Sequence, residues 1–234
     1  MNKTYNANFY FGISDTKIYI CFFDSEKNNL KYKVYFEIPG SLSNNLNFKV
    51  ILNLLQENIR KLEKDLGLFL NSGNISVQSK TYQKIQFSVK NIFDEKKLDK
   101  DVINKIVTSG IQQFYNSDKN LNILHVIINK YIIDDKVYVF FPDNKKFKKI
   151  ILEIEFICLD KNFIDKLKNL FSDCKIKVQK IVSYDYAARY LNYIKDDTMC
   201  VSANKILNGA NRSEIVLIED ASKKLGLFDK KFNF

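Results

Sequence analysis

A single histidine, seven glycines, two prolines and four cysteines limit the chemistry open to this chain of 234 residues. With one histidine, His125, the usual general base has one candidate, and no serine or cysteine stands in a nucleophile-elbow or triad-like motif. No two glycines are adjacent, and neither G-x-G-x-x-G nor G-x-x-x-x-G-K-[ST] occurs, so the glycine-rich turns that cradle phosphates with backbone N–H groups are missing. Cys21, Cys158, Cys174 and Cys200 form no C-x-x-C pair and read as core thiols, not as zinc ligands. No apolar run reaches the roughly 18 residues a membrane-spanning helix needs. The polar start, residues 1–6, leads into a strand-like run and does not read as a signal peptide, so a cytoplasmic location is expected.

What is present describes a folded chain. Hydrophobic residues make up 46% and charged residues 27%, a globular balance that suits one large domain or two small ones. The formal charge of +10 attracts acidic partners, yet the lysines are scattered among acids, as in Lys61-Leu62-Glu63-Lys64-Asp65. No RNP-like motif or zinc finger accompanies them, and nucleic acid is not expected as a partner. The pairs Asp134-Asp135 and Asp196-Asp197 sit in polar turns and read as solvated residues. His125, inside the run Ile123-Leu124-His125-Val126-Ile127-Ile128, reads as a strand residue with one satisfied hydrogen bond.

Periodicity supplies the order of elements. Two apolar runs around Gly12-Ile13-Ser14-Asp15-Thr16 predict a hairpin, and alternation over residues 31–38 predicts a further strand stopped by Pro39-Gly40. Ile51, Leu55, Ile59, Leu62 and Leu66 recur at helical spacing, with Gly67 placed for a left-handed cap. Residues 75–89 read as strand, residues 94–97 as a polar break, and Leu98, Val102, Ile106 and Phe114 as the buried face of a helix weakened at Gly110. Strands are expected over residues 123–133, 137–141 and 150–159. A short helix through Phe163, Leu167 and Leu170, a strand through Ile176, Val178 and Ile181, and a helix over residues 184–194 follow. The alternation of strands and helices points to an α/β protein with a mixed sheet.

Several segments, in order, resemble the first half of FtsA, the bacterial cell-division protein of the actin-like ATPase superfamily. Gly12-Ile13-Ser14-Asp15-Thr16-Lys17 resembles that family's first phosphate-loop hairpin, Asp-x-Gly-Thr-Ser-Lys. Ile123-Leu124-His125-Val126 followed by Tyr131-Ile132-Ile133-Asp134 resembles its inserted subdomain. Lys177-Val178-Gln179-Lys180-Ile181-Val182 and then Ala187-Ala188 resemble the strand and helix that return to the core. The resemblance implies one actin-like (ribonuclease H-like) lobe over residues 1–82 and 166–205. A small α+β interaction subdomain is inserted over residues 83–165, and residues 206–234 form a C-terminal tail.

The departures shape the functional expectation. Aligned on Thr16-Lys17, the family's Mg²⁺-organising acid and phosphate-approaching glycine are here Gly12 and Ser14. The second loop, Asp-x-Gly-Gly-Gly, is replaced after Asp197 by Thr198-Met199-Cys200-Val201-Ser202-Ala203. Gly12, Ser14, Asp15, Thr16 and Lys17 are thus expected to form a degenerate phosphate loop, with no metal site, no cofactor, no bound ATP–Mg²⁺ and no catalysis. The resemblance implies a cell-division adaptor acting through protein–protein contacts, with self-association through residues 83–165. A PilM-like pilus or secretion assembly protein, or an ATPase completed by another chain, are the alternatives. In the tail, Leu225, Phe228 and Phe232 fall at i, i+3 and i+7 beside Lys224 and Lys231, the pattern of an amphipathic helix on the anionic inner face of a membrane. A tail that folds back or frays, with Gly226 lowering helix propensity, is the other reading.

Overall fold

The computed structural model describes residues 7–24, 28–38, 48–142, 145–193, 195, 198–218 and 231–233. The chain forms two compact units, one of residues 1–81 and 162–208, the other of residues 82–161 and 209–234. The α/β class expected from the alternation of elements is the class observed.

The first unit is built on a five-stranded sheet. Strands β1 (Ala7–Ile13) and β2 (Lys17–Asp24) make the expected hairpin, and β3 (Leu30–Glu37) adds antiparallel to β2. Helix α1 (Phe48–Leu66) buries Ile51, Leu55, Ile59 and Leu62, the stripe its 3.6-residue period predicts, and ends at Gly67 with φ +64°. The crossover brings β4 (Ser72–Val77) parallel to β1. After the second unit, α3 (Lys161–Asp173) leads to β9 (Lys177–Ser183), parallel to β4, so the strand order is β3-β2-β1-β4-β9. Alternation along β1 sends Phe11 into an edge-to-face contact with Phe171 of α3, ring centres 4.8 Å apart, and turns Tyr10 and Gly12 the other way. Helices α4 (Tyr184–Leu191) and α5 (Met199–Leu207) complete this unit, α5 lying on β1, β2 and β4.

The second unit is an antiparallel sheet with one helix. Strand β5 (Gln83–Lys97) pairs with β8 (Lys146–Asp160), β8 with β6 (Leu121–Ile133), and β6 with the short β7 (Lys136–Tyr138) and with β10 (Glu214–Ile218). Helix α2 (Lys100–Ser117), capped by the Asp99 carboxylate on the Val102 N–H at 2.8 Å, lays Val102, Ile103, Ile106 and Phe114 on the sheet. At Gly110 a Cβ would stand 2.9 Å from Val89 Cγ2.

Four expectations are corrected. The strand foreseen over residues 75–89 is two, β4 and β5, one in each unit. The polar break at residues 94–97 is strand, because a bulge between Ile92 and Lys96 lets β5 continue. The strand over residues 137–141 stops at Tyr138. The helix expected over residues 184–194 stops at Leu191, capped by Asn192 with φ 55°, and helix α5 follows from Met199. In the expected tail, β10 joins the sheet of the second unit, and Lys231 and Phe232 lie in β11 (Lys231–Asn233), antiparallel to β10. The helical spacing therefore does not hold at those two positions, while Lys224, Leu225 and Phe228 lie outside the described residues.

Candidate functional site

Open α/β sheets bind ligands beyond the carboxyl ends of their parallel strands, where the following loops converge. In the first unit, those ends are the turn after β1, the loop after β4 and the start of α4 after β9. The Gln78 N–H donates to the Ile13 carbonyl at 2.9 Å and the Ser79 N–H to Asp185 Oδ2 at 3.3 Å. Lys80 Nζ stands 3.4 Å from Asp15 Oδ2, and the Ser79 and Thr81 hydroxyls share a hydrogen bond at 2.9 Å. The α4 start is fixed by Ser183, whose hydroxyl accepts from the Tyr186 N–H at 3.3 Å. Burial, with a smaller push from Asp15, holds the Asp185 carboxyl above its ordinary value.

The hairpin residues singled out by sequence do sit at this end, with Gly12 and Ser14 buried, Asp15 and Lys17 half-buried and Thr16 exposed, and their hydrogen bonds close on the turn itself. The Ser14 N–H donates to the Lys17 carbonyl at 2.9 Å, and the Lys17 N–H donates to Ser14 Oγ at 3.0 Å. Two backbone donors that a phosphate would need are therefore spent inside the turn. The Thr16 carbonyl accepts from the Ile38 N–H at 2.7 Å, and the Lys17 ammonium lies 5.1 Å from the centre of the Tyr35 ring. Ser14 is buried, and Asp15 is tied to Lys80.

Gly12 lies under helix α5. A Cβ at this position would come 3.0 Å from Met199 Cβ and 3.3 Å from Cys200 Sγ, so the space beside Gly12 is filled by this chain's own helix. Cys200 Sγ donates to the Tyr10 carbonyl at 3.6 Å, and burial, then its hydrogen bond with Cys21, raises its pKa well above the ordinary thiol value. Burial likewise pushes Tyr10 up to about 12. These are inert core groups, since a reactive cysteine needs a thiolate. A hydrated Mg²⁺–phosphate group asks for a carboxylate and free N–H donors; at this end the Asp15 and Asp185 carboxylates are engaged by Lys80 and the Ser79 N–H, and the Ser14 and Lys17 N–H groups by the turn itself.

Sequence reading found the hairpin and missed Ser79, Lys80 and Asp185. Asp185 was within reach, as an acid in the first turn of a helix capped by Ser183; Ser79 and Lys80 lay inside what reads as one continuous strand. Among the described residues no group of three or more His, Cys, Asp or Glu is placed to hold a metal. His125 is elsewhere, buried in the second unit, with Nδ1 2.6 Å from Glu214 Oε1 of β10.

No protein-family model matches the chain, and no curated protein does. Among solved structures it is similar to the cytoplasmic domain of EpsL, an inner membrane component of the type II secretion system of Vibrio cholerae, at 8% identity and a TM-score of 0.37, over 78% of this chain and 59% of that one. A PilM–PilN type IV pilus biogenesis complex is similar at 7% identity and a TM-score of 0.45, over 81% of this chain and 50% of that one. A Bacteroides thetaiotaomicron protein with an actin-like ATPase fold and unknown function is similar at 12% identity and a TM-score of 0.32, over 81% of this chain and 56% of that one. This chain spans between 50% and 59% of those chains. Among the described residues no helix is long and apolar enough to cross a membrane.

Proposed function

We propose that this chain is a non-enzymatic adaptor: an actin-like lobe that has exchanged its nucleotide surface for packing, carrying an interaction unit that binds other proteins of the cell-division machinery. The observation that carries the reading is Gly12 under Met199 and Cys200, which leaves no room for the acid that nucleotide-binding relatives of the resembled family use. The inward hydrogen bonds of Ser14 and Lys17 support it from the same hairpin. The neighbouring polar groups are engaged in turn contacts: Asp15 with Lys80, Asp185 as acceptor of the Ser79 N–H, and the Ser79 hydroxyl with that of Thr81. Contact surface is supplied by the second unit, whose long strand β5 stands at the edge of its sheet and offers backbone donors and acceptors to a partner strand.

Two measurements test this. Calorimetric titration with ATP in the presence of Mg²⁺ is expected to show no saturable heat; tight Mg²⁺-dependent binding sinks the reading. Affinity capture from bacterial lysate with the intact chain, set against a chain with residues 83–160 deleted so that α3 stays whole, is expected to recover division proteins through that region. Recovery of pilus or secretion assembly proteins instead would replace the division assignment and keep the adaptor.

A further inference from the structure

One end of the second unit combines exposed apolar side chains with lysines. At the β6–β7 turn, Asp134 and Asp135 adopt φ of 45° and 67°, and the chain doubles back through Val137, Val139 and Phe140, which are 60%, 58% and 73% exposed. This exposure is held in place. Val137 is in register with Ile132, Phe141 packs edge-on against the buried Tyr131 at 6.0 Å, and the Lys145 carbonyl accepts from the Leu98 N–H at 2.7 Å. Val139 and Phe140 therefore stand outward between two anchored points and are largely exposed.

The lysines surround them. Lys145 lies 4.1 Å from the centre of the Tyr138 ring and bonds its hydroxyl, while Lys136 and Lys148 are exposed with no ion pair among the described residues. Three of the acids here are engaged: Glu95 with Lys146 at 3.6 Å, Asp135 with Lys149, and Asp134 as acceptor for the Lys149 N–H at 2.8 Å. Over residues 134–149 five lysines stand against three aspartates, so the sequence of this end carries an excess of positive charge.

We propose that this end, centred on Val137, Val139 and Phe140, inserts into the headgroup layer of an anionic phospholipid bilayer. The apolar side chains project from a turn and the loop after it, which suits a deformable surface better than the concave surface of a folded partner. Valine and phenylalanine flanked by lysines whose stems can reach outward form the composition of an interfacial anchor, and the charge of +10 draws the molecule to a negative surface. The residues of this site are other than the tail residues 222–234, and the proposal does not depend on the adaptor reading.

The chain has no tryptophan, so Phe140→Trp creates a single reporter at this point. With vesicles of phosphatidylcholine and phosphatidylglycerol, its emission is expected to shift to the blue, with little change on phosphatidylcholine alone. Val139→Ser with Phe140→Ser should weaken vesicle co-sedimentation at least tenfold. Lys136→Gln and Lys148→Gln should each weaken it about fivefold, with unchanged melting temperature. Unshifted emission under conditions where the protein pellets would place binding on another surface and overturn the proposal, as would failure to pellet. A blue shift with polyglutamate but not with vesicles would assign the surface to an acidic protein, and also overturn it.

Discussion

Gly12 and Asp185 show how far single residues set the character of the first unit. Adding a methyl group at Gly12 forces Met199 or β1 to move, since the contact would be 3.0 Å; Gly12→Ala is expected to cost about 1–3 kcal/mol in urea unfolding. Gly12→Asp, which restores the acid of the resembled family, should cost more, because it buries a charge against Met199 and Cys200, and should restore no nucleotide binding. Asp185 gives a pH signature. Its carboxyl titrates above the ordinary value of 3.8 because burial disfavours the charge, so the folded chain holds its proton more tightly than the unfolded chain does. The stabilisation is complete below 3.8 and is lost as pH rises through the higher folded value. Asp185→Asn should therefore be more stable than the parent at pH 7, with the difference closing as pH falls toward the unfolded value, as followed by thermal melting across pH.

At the scale of elements, Gly110 sets two effects against each other. Alanine there would gain helix propensity of about 1 kcal/mol, but its Cβ would meet Val89 Cγ2 at 2.9 Å, and a branched strand residue has little freedom to retreat. Strain wins in this balance, and Gly110→Ala is expected to lower the urea midpoint. The glycine that weakens α2 as a helix is thus what seats it on β5. Helices α1 and α2 were legible because their apolar residues recur on one face over many turns. The β4–β5 boundary was not, because residues 78–82, Gln-Ser-Lys-Thr-Tyr, contain neither glycine nor proline, and threonine and tyrosine favour strand. Helix α5 escaped because it is short and its role is tertiary: Met199 and Cys200 matter through the gap at Gly12, which no local pattern discloses. The candidate site divided the same way. The hairpin announced itself by its turn residues, whereas Lys80 and Asp185 join it only through the parallel arrangement of β1, β4 and β9.

For the whole molecule, the chain leaves the first unit at residue 81, returns at residue 162 and leaves again after residue 208. The second unit thus draws on two distant stretches, and its β6 finds part of its pairing in β10, where Ile215 is in register with Val126 and Glu214 meets His125. A chain ending at Asn208 would keep every strand and helix of the first unit but lose β10 and the carboxylate beside a buried imidazole. It is expected to show faster hydrogen exchange and earlier proteolysis at β6, with α1 and β4 still protected.

The register of Ile215 with Val126 also has a meaning in time. During synthesis the first unit has all its residues once Asn208 clears the ribosome, whereas β6 must wait, one flank bare, for a strand translated long after it. Contacts so distant in sequence form slowly, and an apolar strand edge left open meanwhile is where a nascent chain meets chaperones or its own neighbours. A polypeptide ending at Asn208 and released from the ribosome should therefore have a protease-resistant first unit while its middle is held by a chaperone.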